Sequence, residues 1–127
     1  GQFDMKLIRA IAGISALAAL SGTANAQSLV LGDGLARQCY VDAVSGNQGK
    51  QRAIARCKAA LRNVGMSKLN RASTWVNLGI LQMRSGAYEE SLVSYDRSLG
   101  IAPDSPEALI NRGAALIYLG RNNEALD

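Results

Sequence analysis

The stretch ASTWVNLGILQMRSGAYEESLV, Ala72 to Val93, returns 34 positions later as PEALINRGAALIYLGRNNEALD, Pro106 to Asp127. Five pairs are identical at that offset: Asn77/Asn111, Gly79/Gly113, Gly86/Gly120, Glu90/Glu124 and Leu92/Leu126. Trp75/Leu109, Val76/Ile110 and Ser91/Ala125 are alike in kind. A period of this length marks one supersecondary unit that cannot bury its apolar face alone, so copies stack. The echo therefore predicts an all-α solenoid of antiparallel helix pairs. Such stacks present extended surfaces that serve binding more often than chemistry.

The glycines and prolines fit helix pairs. Gly79 and Gly113 lie inside apolar helical patterns, where glycine costs about 1 kcal/mol relative to alanine. That cost is understandable if a neighbouring helix comes close. Gly86 and Gly120 follow the last apolar residues of a first helix, where a left-handed C-cap is expected. Pro103 and Pro106 end one helix and start the next, with Asp104 or Ser105 free to cap.

These residues resemble the tetratricopeptide repeat (TPR) pattern W-x2-L-G-x2-Y, A-x3-F, P. Trp75, Leu78 and Gly79 match the first block, Gly86 and Tyr88 the turn, Tyr95 the Phe position, and Pro103 closes the repeat. Gln82 stands where the pattern has Tyr, and Ser91 where it has Ala. The second copy keeps Gly113, Gly120, Ala125 and Leu126 but has Arg112 and Leu116 in place of Leu and Tyr. A weaker copy lies upstream, where AIARCKAAL, Ala53 to Leu61, lines up with SLVSYDRSL, Ser91 to Leu99. These two segments lie 38 positions apart, four more than the echo. The expected organisation is a degenerate helical hairpin over 35–71, a full repeat over 72–105 and a truncated one over 106–127.

Cys39 and Cys57 are the two cysteines of the chain. They are equidistant from the turn signal Ser45-Gly46-Asn47-Gln48-Gly49. Helices on either side would form an antiparallel hairpin and bring the two side by side, within disulfide reach. A structural disulfide is the favoured reading, worth about 3 kcal/mol in the loop-entropy picture. Two free core cysteines, or redox or metal chemistry, are the rivals. Redox sites more often show C-x-x-C. A zinc site needs three or four ligands, and the chain has no histidine.

Met5 opens MKLIRAIAGISALAALSGTANAQ. Lys6 and Arg9 precede an apolar stretch from Ile11 to Leu20, and Ala24-Asn25-Ala26 is an A-x-A site. This reads as a signal peptide over 5–26, cleaved before Gln27. Export follows, to a periplasmic or secreted location that favours a disulfide. The apolar stretch is too short to cross a bilayer core of about 30 Å comfortably, so no stable membrane span is expected after cleavage. Residues 1–4 read as upstream sequence or a scar. Residues 27–34 read as a short N-terminal tail, and the chain reads as a fragment of a longer protein.

Charge is uneven. Residues 27–71 carry eight Lys/Arg against two acids, and 72–127 carry four against seven. A basic half can attract nucleic acid or other anions, but a solvated helix face is the favoured reading. Tyr40 is the one aromatic in that half, so the stacking platform of single-strand binders is missing and no nucleic-acid partner is expected. No histidine, P-loop, dinucleotide fingerprint or G-x-S-x-G is present, which removes the commonest general base and nucleophile dyads. Glu89 and Glu90 are adjacent, and read as favourable charge in a first helical turn. The expectation is a non-enzyme without cofactor or metal.

The resemblance implies that the first helix of each repeat lines a concave groove. By position this names Val76, Asn77, Ile80, Met83 and Arg84 in one repeat, and Ile110, Asn111, Ala114, Ile117 and Tyr118 in the next. A groove-facing Asn can grip the backbone of an extended peptide through its donor and its acceptor. It can equally tidy local helix contacts. The family's variant that binds carboxylate-ended chaperone tails uses Lys and Arg, and Val76 and Ile110 stand where one such Lys would be. That ligand is therefore not carried over. Trp75, Leu78, Tyr88, Leu92, Tyr95 and Leu99 are assigned to packing. The implied partner is a protein or peptide. The alternatives are the N-terminal scaffold of a larger envelope enzyme, or a structural protein that self-associates.

Overall fold

The structure, a computed structural model, describes residues 27–30, 34–45 and 50–120. The expected signal peptide, the turn around 46–49 and the second helix of the last repeat lie outside the described residues. Five helices follow in order: α1 (Leu35–Ser45), α2 (Lys50–Leu61), α3 (Lys68–Arg84), α4 (Tyr88–Ile101) and α5 (Pro106–Tyr118). Each packs on the next, and α3 also packs on both α1 and α5. The odd-numbered helices thus form a continuous inner row, while α2 and α4 do not touch. This is an all-α, TPR-like stack of antiparallel helix pairs.

Local chemistry sets the helix ends. The Ser67 hydroxyl accepts from the Asn70 N–H at 3.1 Å and starts α3. Ser105 accepts from the Ala108 N–H at 3.3 Å and starts α5, with Pro106 in the first turn. Each cap contributes about 1 kcal/mol. Gly86 (φ 84°) and Gly120 (φ 73°) adopt the left-handed conformation. At the first, Ala87 N–H reaches Gln82 O at 2.8 Å and Gly86 N–H reaches Met83 O at 3.0 Å. That pair of bonds is the Schellman closure, which satisfies carbonyls the helix end leaves open.

The four extra residues upstream of the echo have a clear place. Helix α5 begins at Pro106, whose partner at the 34-residue offset is Ala72, yet α3 begins at Lys68. The insertion is one added helical turn. Because a turn takes 3.6 residues, four residues lengthen α3 while nearly preserving its faces.

Three apolar clusters run along the stack. Cys39, Ala53, Ile54, Cys57, Leu78 and Leu81 join the hairpin to α3, with Trp75 packed against them. Ala43, Val76, Ile80 and Ala108 join the inner row, supported by Leu99. Leu92, Tyr95, Ala115 and Leu116 join α4 to α5. The packing roles expected for Leu78, Leu92 and Tyr95 agree with their burial. Burying each such side chain is worth roughly 1.5–3 kcal/mol. Tyr95 lies so close to Gly79 that a β-carbon there would enter the ring. No described atom comes within 4 Å of a β-carbon at Gly113.

Cys39 and Cys57 form a disulfide, with a Cα–Cα distance of 4.9 Å, and both are fully buried. Five of the eight cations in the basic half, Lys50, Arg52, Lys58, Arg62 and Lys68, are exposed, as expected of a solvated face, while Lys50, Arg56 and Arg71 make specific internal contacts. Arg71 donates to Leu61 O at 2.9 Å and Asn63 O at 2.6 Å, capping the end of α2. Lys50 donates to Arg84 O at 2.7 Å, tying the start of α2 to the end of α3. Arg56 pairs with the buried Asp42 at 2.7 Å, and this hydrogen bond raises the Arg56 pKa.

Candidate peptide-binding groove

Asn77 sits midway along α3 on the inner row and is completely buried. What covers it is the chain's own segment Gln27–Val30, which is neither helix nor turn. The Ser28 N–H donates to Asn77 Oδ1 at 2.9 Å, and Asn77 Nδ2 donates to Ser28 O at 2.8 Å. One side-chain amide therefore satisfies both backbone groups of one residue. These two groups point to the same side in extended backbone, so the geometry is that of a strand clamped by a primary amide.

Neighbouring contacts fix the register. Ser28 Oγ donates to Ser73 Oγ at 2.8 Å, one helical turn before Asn77. Val30 is 1% exposed, whereas Leu29 between them is 56% exposed. This alternation is the period-2 pattern of an extended chain lying on a surface. Gln27 Nε2 reaches Ala43 O on α1 at 3.5 Å, and Arg37 Nη1 reaches Val30 O at 3.4 Å. The segment thus spans α1 and α3.

The two repeat asparagines do different things. Asn111 is equally buried, but its Nδ2 donates to Glu107 O one turn back at 2.8 Å, a local helix contact. Among the described bonds, Asn77 makes a two-bond backbone clamp and Asn111 a contact within its own helix. Val76 and Ile80 are taken into the inner-row core rather than lining an open surface. The reason is that α3 packs directly on both α1 and α5, which consumes the face carrying those two positions. Met83 packs against the cluster between α4 and α5. Arg84 is half-buried, with Nη1 unpartnered among the described residues, and desolvation lowers its pKa. It lies close enough to Tyr95 for their charges to interact. Ile110, Ile117 and Tyr118 are exposed, and Ala114 is partly so. Tyr118 stacks on Tyr88 with ring centres 5.4 Å apart.

Ser28, Ser73 and Val30 were not legible as site residues. The one hint was the run Ser28-Leu29-Val30 beside a helix row carrying Asn, and nothing local tells such a run from a loose tail. Gln82, which replaces the family's Tyr, accepts from Ser94 Oγ at 2.6 Å. It also lines an apolar pocket of about 350 Å³ with Leu61, Trp75, Leu78 and Val93, between α2 and α4 on the outer side. Among the described residues no cluster of His, Cys, Asp or Glu could hold a metal. No described helix is long and apolar enough to cross a membrane.

Paired helices stacked with an inner row, a glycine close approach and a Schellman-closed turn define a TPR-like solenoid. In agreement, 48 residues, 38% of the chain, are 42% identical to the TPR repeat-containing thioredoxin TTL4 of Arabidopsis thaliana. The matched part spans 7% of that protein's length. No family model matches the chain, and no solved structure matches it.

Proposed function

We propose that this chain is an exported interaction module that holds an extended segment of a protein partner in the groove along α1, α3 and α5. The observation that carries this reading is the two-bond clamp of Asn77 on the Ser28 backbone. Backbone recognition of this kind gives affinity without much sequence demand, while alternate side chains add selectivity. The chemistry needed is binding alone, and the reading assigns no reaction, cofactor or metal. Export is supported by the leader pattern over 5–26 and by the Cys39–Cys57 disulfide, which suits an oxidising compartment.

The test is photo-crosslinking from a probe at Ile110, which is 51% exposed on the inner row's last described helix. Cells expressing the full chain are irradiated and adducts are identified by mass spectrometry. The expected result is one dominant protein adduct that Asn77→Ala weakens at least tenfold while helical content stays unchanged. An adduct indifferent to Asn77→Ala would remove the clamp from the binding site.

A further inference from the structure

We infer that residues 27–30 are a built-in stand-in for the partner, so that the groove is self-occupied and selects segments resembling Gln-Ser-Leu-Val. This rests on the proposed peptide-binding role of Asn77. The held segment is the template for what fits. Position 28 offers its backbone to Asn77 and its hydroxyl to Ser73. Position 30 buries a β-branched apolar side chain. Position 29 points outward, beside a cavity of about 360 Å³ floored by Leu69, Ala72 and Ala102. The partner segment is therefore extended, with a small hydroxyl residue, then any residue including a large one, then a β-branched apolar residue.

The stand-in is built to be displaced. Among the described residues its polar hold is two neutral bonds to Asn77, one between serines, and two long contacts at 3.4 and 3.5 Å. The same cavity, lined by Ser28 and Leu29 at one side, runs on to Ser105 and Glu107 at the start of α5. A partner segment that continues into it can add contacts to those that residues 27–30 make. Being tethered, the tail competes at high effective concentration. An incoming segment then sees an affinity reduced by the fraction of molecules whose groove is free.

The probe is a fluorescein-labelled peptide copying residues 26–32, titrated by anisotropy into the full chain and into variants. Ser28→Pro removes the N–H that Asn77 accepts. Val30→Ser leaves the backbone intact but weakens the buried anchor, and it serves if the proline variant fails to fold. Both variants should bind the peptide about tenfold tighter than the unmodified chain. Adding Asn77→Ala to either should abolish binding. In the unmodified chain, saturating peptide should expose the Ser28 amide to hydrogen exchange. Equal affinity for all three chains, binding by none of them, or a Ser28 amide still protected at saturation would each overturn the inference. If those fail while the Ile110 adduct still depends on Asn77, the clamp stands and only the stand-in falls.

Discussion

At the scale of the residue, one glycine and one tyrosine decide how closely the first full repeat closes. Gly79 exists so that the Tyr95 ring can lie on the α3 backbone. Gly79→Ala should lower stability by about 1–3 kcal/mol, the usual range for overpacking. Gly113→Ala meets no described atom within 4 Å and should be neutral or stabilising by up to about 1 kcal/mol. Paired thermal melts check the contrast. Tyr95 is fully buried with its hydroxyl unpartnered among the described residues, and desolvation raises its pKa well above the ordinary value. A raised folded-state pKa means the neutral form is favoured in the fold. Its stabilising share is complete below the unfolded value of about 10 and is lost as pH rises above it. Melting temperature should therefore fall between pH 9 and pH 11. Tyr95→Phe should flatten that fall, since it removes the ionisable group and an unpaired hydroxyl together. An identical alkaline profile in the variant would show that another group is responsible.

At the scale of the element, the first helical pair is the one that needs help. Helix α2 buries two alanines, one isoleucine and a cysteine, so its apolar contribution is small. The disulfide compensates by limiting the unfolded chain, and its loss through Cys57→Ser should lower unfolding free energy by about 3 kcal/mol. Reductant should bring the unmodified chain to the same midpoint in urea and leave the variant untouched. Equal midpoints before reduction would mean that no bond had formed. Helix α3 is the other informative element. Its added turn reaches back to Lys68 and places Arg71 where it caps α2. The departure from strict periodicity therefore has a structural use.

At the scale of the whole molecule, stability should be graded along the stack. Repeats contact only their neighbours, so opening begins at the ends. Among the described helices α3 touches all four others, whereas α1 and α5 each touch two. Hydrogen exchange should find the α3 amides most protected and those of α5 opening first, with protection differing by tenfold or more. Uniform protection over all five helices would indicate one cooperative unit instead. Among the described residues, α5 carries an exposed apolar face of Leu109, Ile110, Ile117 and Tyr118.

The sequence alone determined the repeat. A fixed period with glycines at the close approach and at the caps requires no knowledge of distant contacts, because helix periodicity and turn chemistry are local. The cysteine pairing was legible for the same reason, since a hairpin brings together residues equidistant from its turn. Tertiary structure alone decided what the groove looks like. Val76 and Asn77 are adjacent and both were read as groove residues, yet one enters the inner-row core and the other clamps Ser28. Asn77 and Asn111 occupy the same place in the repeat, yet among the described bonds the first holds Ser28 and the second Glu107 O. That difference comes from a contact spanning 49 positions. Local pattern carries no record of which distant backbone will come to lie against a given side chain.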